Sequence, residues 1–149
     1  MFQVAEAAAK DVPELCALLS ALFTQEADFQ PDTTRQSMGL RLIIEQPEFG
    51  QILVAREGTG VVGMVNLLFT LSAACDGPTV LLEDMVVHPS HRGMGIGSTL
   101  LRCAIALALS RGAAGIRLLT DRSNLTAIRF YQSHGFVSSV EEPMRLYVD

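Results

Sequence analysis

A glycine-rich turn between a predicted strand and a predicted helix is the feature that most restricts how this chain can fold. The residues T-V-L-L-E-D-M-V-V (79–87) favour a strand, and Pro89 ends it. The turn R-G-M-G-I-G-S (92–98) follows, and the apolar stretch from about Ser98 to Arg111 has the composition of a helix. A strand that leads through a short turn into a helix is typical of α/β folds.

The segments on either side extend this unit. Helical spacing or composition is found at about 11–27, in the region of Met38 to Ile44 that stops before Pro47, at 98–111 and at 124–134. The pattern of strands is found at 2–6, 51–56, 61–70, 79–87, 116–120, 136–140 and 144–148. This order of elements predicts an α/β sandwich on a mixed central sheet.

The composition allows one domain and argues against several classes of protein. With 149 residues, 49% of them apolar, the chain is expected to form a single domain over 1–149. No apolar run is long enough to span a membrane, and the N-terminus lacks the pattern of a secretory signal, so we expect a cytoplasmic protein. A net charge of -5 without a basic run argues against nucleic-acid binding. The spacing of the 3 cysteines argues against a structural zinc site or a disulfide framework.

The turn between strand and helix is suited to bind an anion. Backbone N–H groups at the start of a helix lack intrahelical partners, and the helix dipole is positive there. Glycines let this backbone approach oxygen atoms closely, and Arg92 adds a guanidinium that binds phosphate. A pyrophosphate is therefore the expected ligand, and a plain glycine-rich turn is the alternative. Neither the P-loop pattern nor the Rossmann pattern is present.

Two motifs resemble those of a known family. The run 82–101, L-E-D-M-V-V-H-P-S-H-R-G-M-G-I-G-S-T-L-L, resembles the coenzyme A-binding motif of the GNAT superfamily of N-acetyltransferases, with Arg92, Gly95 and Gly97 at the motif positions. The run 124–136, which has an Asn, then F-Y and then G-F, resembles the second motif of that family. The resemblance implies a mixed, mostly antiparallel central sheet of about seven strands flanked by four helices. It also implies acetyl-coenzyme A as cosubstrate and no metal.

The resemblance assigns residues to the cofactor. Backbone groups of β-strand residues are expected to pair with the pantetheine arm, and amides of the glycine turn are expected to hold the pyrophosphate. The cofactor-binding residues implied in this way are Met85, Val86, Val87, Arg92, Gly93, Met94, Gly95, Ile96, Gly97, Ser98, Asn124 and Tyr131. Asn124 is also suited to cap its own helix, and both roles are compatible.

Acetyl transfer to an amine requires a group that removes a proton. An amine with a pKa of about 10.4 is neutral in only about one molecule in 2,500 at pH 7. Glu83 and Asp84 are adjacent in a predicted strand, so their side chains are expected on opposite faces. The L-E-D segment is similar to that of polyamine-type acetyltransferases, which favours Glu83 as the base, acting directly or through water. Two structural carboxylates at a sheet end are the alternative.

Further candidates line the acceptor or assist the leaving group. In the family, the residue that matches Tyr131 is placed to protonate the departing thiolate, and a hydrogen bond to that charge is a second way to act. A core pair of Phe130 and Tyr131 is the structural alternative. Glu83, Asp84, Glu26 and Glu142 are candidate substrate-binding residues because their charges would attract a cationic amine, although Glu26 and Glu142 also fit a solvated surface.

The sequence therefore predicts an N-acetyltransferase that moves an acetyl group from acetyl-coenzyme A directly to a primary amine of a small molecule or peptide. Two alternatives remain open: a non-catalytic acyl-coenzyme A binding or sensor module, and an acetyltransferase of protein N-termini or lysines. A homodimer is a possible assembly.

Overall fold

The computed structural model describes residues 1–25, 33–74 and 77–148. In chain order the elements are β1 (Gln3–Glu6), α1 (Val12–Gln25), α2 (Thr33–Glu45), β2 (Gly50–Glu57), β3 (Gly60–Ser72), β4 (Gly77–Val87), α3 (Ile96–Ser110), β5 (Gly115–Leu118) and α4 (Leu125–Ser133). Single 3-10 turns at Ala9–Asp11 and Pro89–His91 precede α1 and the glycine turn. The four helices overlap the predicted ranges, although α2 begins at Thr33, before the predicted Met38. Residues 26–27, where the first helix was expected to end, lie outside the described residues.

The strands form one mixed sheet. Its order is β1-β2-β3-β4-β5, with β4 and β5 parallel and the other neighbours antiparallel. The segments 51–56 and 61–70, predicted as strands, form the antiparallel hairpin of β2 and β3, with Glu57 opposite Gly60 at the turn. The mixed, mostly antiparallel α/β fold is thus confirmed.

The number of strands is lower than expected. The described part of the chain contains a sheet of 5 strands, not about seven. The segments 136–140 and 144–148, predicted as strands, have no regular secondary structure. Apolar side chains in them, including Val140 and Met144, are exposed. A β-rich pattern describes side chains only, and a strand also needs a neighbouring backbone with which to form hydrogen bonds.

The central strand β3 sets the position of the helix that follows the glycine turn. Residues 61–67 of β3 are all buried, as expected for a strand covered on both faces. A Cβ on Gly63 would lie 3.0 Å from Leu100 Cδ1 and 3.3 Å from Ile96 Cγ2, so glycine at this position lets the start of α3 approach the sheet closely. The N-terminus of α3 is therefore fixed against β3.

The first helix packs against the central strands of the sheet. Leu15 and Leu19 of α1 belong to a buried cluster with Val54 and Met64 of the sheet. Asp11 accepts two hydrogen bonds of 2.6 Å from the guanidinium of Arg56 in β2.

The chain divides into two compact units, Met1–Leu119 and Thr120–Asp149. The sheet and α1 to α3 belong to the first unit and α4 to the second. A single domain over 1–149 stays a prediction. None of the described helices has the length and apolar character that a membrane span needs.

Candidate functional site

The second half of β4 pairs on one side only. The parallel ladder with β5 runs from Thr79 opposite Gly115 to Leu82 opposite Leu118 and ends there. Beyond that point β4 continues to Val87 and pairs with β3. Among the described residues, the β5 side of 83–87 has no ladder partner. This open strand side includes Met85, Val86 and Val87, the residues expected to pair with the pantetheine arm.

A bulge interrupts β4 where the two candidate carboxylates lie. Asn66 is opposite Glu83 and Met64 is opposite Val86, so Val65 alone faces two residues of β4. Asp84 has φ 54° and is the only non-glycine residue with a positive φ in the described ranges. Regular alternation therefore fails here. The bulge removes the regular alternation from which opposite faces for Glu83 and Asp84 were expected, and the faces on which they lie stay a prediction.

The bulge gathers three polar side chains. Asn66 Nδ2 lies 3.4 Å from Asp84 Oδ2, a long hydrogen bond. Burial raises the pKa of the Asp84 carboxyl, and the Asn66 hydrogen bond lowers it in part. Partial burial raises the pKa of Glu83, and the neighbouring charge of Asp84 adds to this, although the Glu83 side chain reaches solvent. A carboxyl with a raised pKa is a better acceptor for a proton from an ammonium group.

Asn66 is a candidate that sequence reasoning missed. It is 2% exposed and lies inside the buried segment 61–67 of β3, whose other residues are apolar. The signal in the sequence is a lone amide inside the apolar run 61–69. Its proximity to Asp84 could not be predicted, because it depends on the pairing of β3 with β4.

The glycine turn has the conformation that an anion-binding loop needs. Gly93 and Gly95 both have φ 81°, in the left-handed region, and a Cβ on either would meet nothing within 4 Å. Gly95 is the N-cap of α3, and its carbonyl accepts the hydrogen bond from Thr99 N at 3.1 Å. The backbone therefore enters the helix through two glycines that leave open space above it.

The side chains of the turn differ in their exposure. Arg92 is exposed and donates from Nε to the carbonyl of Val87 at 3.2 Å. Met94 is exposed, whereas the Ile96 side chain is buried. Ile96 can therefore offer a ligand only its backbone. Gly97 and Ser98 follow it in the first turn of α3.

A chain of hydrogen bonds supports the start of the glycine turn. Ser90 Oγ lies 2.8 Å from Nδ1 of both His88 and His91, and His91 Nε2 lies 2.8 Å from Glu57 Oε2. These contacts link the turn to the end of β2. The ranges that the structure describes contain no group of three or more His, Cys, Asp or Glu that could hold a metal ion.

In the second unit, Asn124 and Tyr131 are positioned by α4. Asn124 is the N-cap, and its side chain accepts a hydrogen bond from Ala127 N at 3.1 Å, which confirms the capping role. The Tyr131 ring packs against Phe130 and Phe136, with centroids 5.2 and 5.7 Å apart. Burial raises the pKa of the Tyr131 phenol to about 12. The phenol is therefore protonated at neutral pH and can donate a hydrogen bond.

The remaining candidate carboxylates have other surroundings. Glu142 accepts a hydrogen bond of 2.8 Å from Arg122 in an exposed ion pair, which offsets its charge. Glu26 lies outside the described residues. The substrate-binding roles of both stay predictions.

The chain is similar in sequence to known acetyltransferases. The chain is 33% identical over 87 residues to mycothiol acetyltransferase of Thermobispora bispora, which covers 58% of this chain and 30% of that protein. It is 32% identical over 79 residues to thialysine N-epsilon-acetyltransferase of Sus scrofa, covering 53% of this chain and 46% of that protein. The chain thus spans less than half the length of these relatives.

The fold is also shared with solved structures. The crystal structure of a possible acetyltransferase from Clostridium difficile matches with a TM-score of 0.88 and 17% identity, over 100% of this chain and 99% of the other. The model of the acetyltransferase (GNAT) family matches residues 12–136. This match spans β2 to β5, the glycine turn and α4, and the chain therefore belongs to the GNAT acetyltransferase family.

Proposed function

We propose that this protein transfers an acetyl group from acetyl-coenzyme A directly to a primary amine of a small molecule or peptide. The observation that carries the proposal is the glycine turn of a GNAT family member: Gly93 and Gly95 are left-handed, with open space above them, directly before α3. This arrangement suits the oxygen atoms of a pyrophosphate.

The residues present fit acetyl-coenzyme A. Arg92 and the amides of the turn, Gly93 to Ser98, hold the pyrophosphate. The open side of β4 at Met85 to Val87 offers backbone groups to an extended pantetheine arm, because β5 pairs no further than Leu118. When bound, acetyl-coenzyme A supplies an acetyl group activated as a thioester.

Glu83 removes a proton from the acceptor ammonium, directly or through one water. Its raised pKa makes it a better proton acceptor than an ordinary carboxylate. The proton that leaves nitrogen is taken up by the Glu83 carboxylate, which frees the nitrogen lone pair for attack. Asp84 and Glu83 together attract a cationic acceptor.

We assign to Tyr131 the stabilisation of the leaving sulfur. A phenol with a pKa of about 12 is a weak acid, so it acts by donating a hydrogen bond to the developing negative charge. We also assign to Asn124 a contact with the cofactor. Its Oδ1 accepts the capping hydrogen bond of α4, so the contact is made by the other side-chain atom, Nδ2.

The release of free thiol from acetyl-coenzyme A tests the function. The thiol is measured with a panel of alkyl amines, amino acids, peptides with free N-termini and lysine peptides. Release with amines or short peptides supports the proposal. Release only when whole proteins are added as acceptors, and not with the amines or peptides of the panel, moves the acceptor to protein N-termini or lysines. Tight binding of acetyl-coenzyme A without release with any acceptor indicates a sensor module. A cytoplasmic location and a homodimer stay predictions, the second tested by sedimentation.

A further inference from the structure

Asn66 carries a buried polar atom that the fold leaves without a partner. The residue is 2% exposed, and its Oδ1 has no hydrogen-bond partner among the described residues. A buried acceptor without a donor normally destabilises a protein, so such an atom in a central strand requires an explanation.

The orientation of the Asn66 amide follows from its neighbour. Nδ2 donates toward Asp84 Oδ2. With the amide turned over, two acceptor oxygens would face each other, which is unfavourable while Asp84 is ionised. Oδ1 therefore stays available for a donor that none of the described residues supplies.

The three polar residues at the bulge differ in depth. Glu83 is exposed, Asp84 is intermediate and Asn66 is buried. Asn66 is also directly opposite Glu83 in the ladder, where side chains lie about 5 Å apart. Asn66 meets Asp84 through a long contact of 3.4 Å, so a donor that reaches Asn66 Oδ1 lies beside the carboxylates of Glu83 and Asp84.

We propose that Asn66 is a substrate-binding residue of the acceptor site, and that its Oδ1 accepts a hydrogen bond from the amino group of the acceptor, beside the carboxylates of Glu83 and Asp84. This inference rests on the function proposed above. It deepens that function by assigning a contact to the nitrogen that reacts.

A neutral amide oxygen has an advantage over a third carboxylate at this position. A neutral primary amine has two N–H donors and one lone pair, and the lone pair has to remain free for attack. A carboxylate stabilises the ammonium form and so raises the pKa of the bound amine. A neutral amide oxygen holds an N–H group with a much smaller effect of this kind, which keeps the nucleophilic form of the amine accessible.

Binding of butylammonium to the protein without acetyl-coenzyme A tests this contact. Calorimetry compares the wild type with Asn66→Ala and with Thr79→Val, which removes another buried polar group of the same sheet. Thr79 is 3% exposed and its hydroxyl contacts Thr70, so this control loses a buried hydroxyl away from the bulge. We expect Asn66→Ala to weaken butylammonium binding about tenfold, and Thr79→Val to leave it unchanged. Equal affinity in folded Asn66→Ala and wild type overturns the proposal.

The pH profile of turnover separates a contact to nitrogen from a packing role. In Asn66→Asp the oxygen remains, but the new carboxyl faces the carboxylate of Asp84, so the two groups share a proton at low pH and are both charged only at higher pH. We expect this variant to bind butylammonium at least as tightly as wild type and to need a higher pH for half-maximal turnover. The same loss in Asn66→Asp and Asn66→Ala, with an unshifted profile, indicates packing alone and contradicts the proposal.

Stability and function are checked separately. Thermal unfolding identifies variants that fail to fold. If Asn66→Ala does not fold, Asn66→Ser replaces it, because the shorter serine side chain does not carry its oxygen to the position of Asn66 Oδ1. If the wild type releases no thiol with any amine, the proposed function fails, whereas the binding comparison still reports on Asn66.

Discussion

Arg92 donates a hydrogen bond from Nε to the carbonyl oxygen of Val87 over 3.2 Å, so the side chain that begins the glycine turn is attached to the last residue of β4. This contact joins the end of the open strand side to the beginning of the glycine turn that leads into α3. Both are required in the proposed cofactor site, one for the pantetheine arm and one for the pyrophosphate.

Gly95→Ala tests the assignment of the turn. We expect the dissociation constant for acetyl-coenzyme A to rise at least about tenfold, because the left-handed backbone disfavours alanine and its amides move away from the phosphate oxygens. Isothermal titration measures the constant. Gly58→Ala is the matched control: Gly58 has φ 62° and nothing within 4 Å of a Cβ, but lies in the β2–β3 turn. We expect Gly58→Ala to lose a similar amount of stability but to keep the wild-type affinity for acetyl-coenzyme A. An equal loss of affinity in Gly58→Ala and Gly95→Ala would contradict the assignment.

Glu83→Gln tests the base. The wild-type rate should fall as the pH drops through the raised pKa of Glu83, because the protonated carboxyl accepts no proton. The variant should lose about a hundredfold in turnover and lose this acidic limb of the profile. Steady-state rates across pH measure both. Asp84→Asn is the companion variant, and an acidic limb that persists in Glu83→Gln but disappears in Asp84→Asn would transfer the role to Asp84.

Local signals in the sequence predicted much of this structure. Asn124 caps α4 because a side-chain oxygen can reach a backbone N–H three residues later, and that geometry depends on a few adjacent residues. The glycine turn and the β2–β3 hairpin are equally local. Such elements depend little on the rest of the chain.

Other features could not be predicted from the sequence, because they depend on residues that are distant along the chain or on an unusual backbone conformation. The segment 144–148 has a strand pattern, yet a strand needs a neighbouring backbone that no pattern within the segment supplies. The left-handed conformation of Asp84 is rare for a residue other than glycine and has no sequence signal. The contact of Asn66 with Asp84 exists only because the bulge brings them together.

Tyr131→Phe tests the hydroxyl proposed to stabilise the leaving sulfur. We expect turnover to fall about a hundredfold while the affinity for acetyl-coenzyme A changes little, because the hydroxyl acts on charge that develops during the reaction. Single-turnover rates and titration separate the two effects. Tyr147→Phe removes an exposed phenol whose hydroxyl lies 2.6 Å from Arg145 Nη1, and it should turn over like the wild type. Comparable turnover in Tyr131→Phe would remove Tyr131 from the mechanism.

Asp11→Ala tests the ion pair that joins the start of α1 to β2. Asp11 is buried and receives both 2.6 Å hydrogen bonds of Arg56 as well as one of 2.7 Å from Ala8 N. We expect a loss of about 3 kcal/mol in the free energy of unfolding at pH 7, because Arg56 is left without its buried partner. Hydrogen bonds from Arg56 lower the pKa of Asp11, so its contribution is present above the ordinary carboxyl pKa of about 3.9 and disappears as the pH falls through the lowered value. Urea unfolding of both proteins from pH 7 to pH 3 measures the difference, which should shrink in the acidic range.

Glu142→Ala is the control, because it breaks the exposed pair with Arg122. We expect it to lower the free energy of unfolding by no more than about 0.5 kcal/mol. A similar loss for both variants would show that burial does not set the strength of the Asp11 pair.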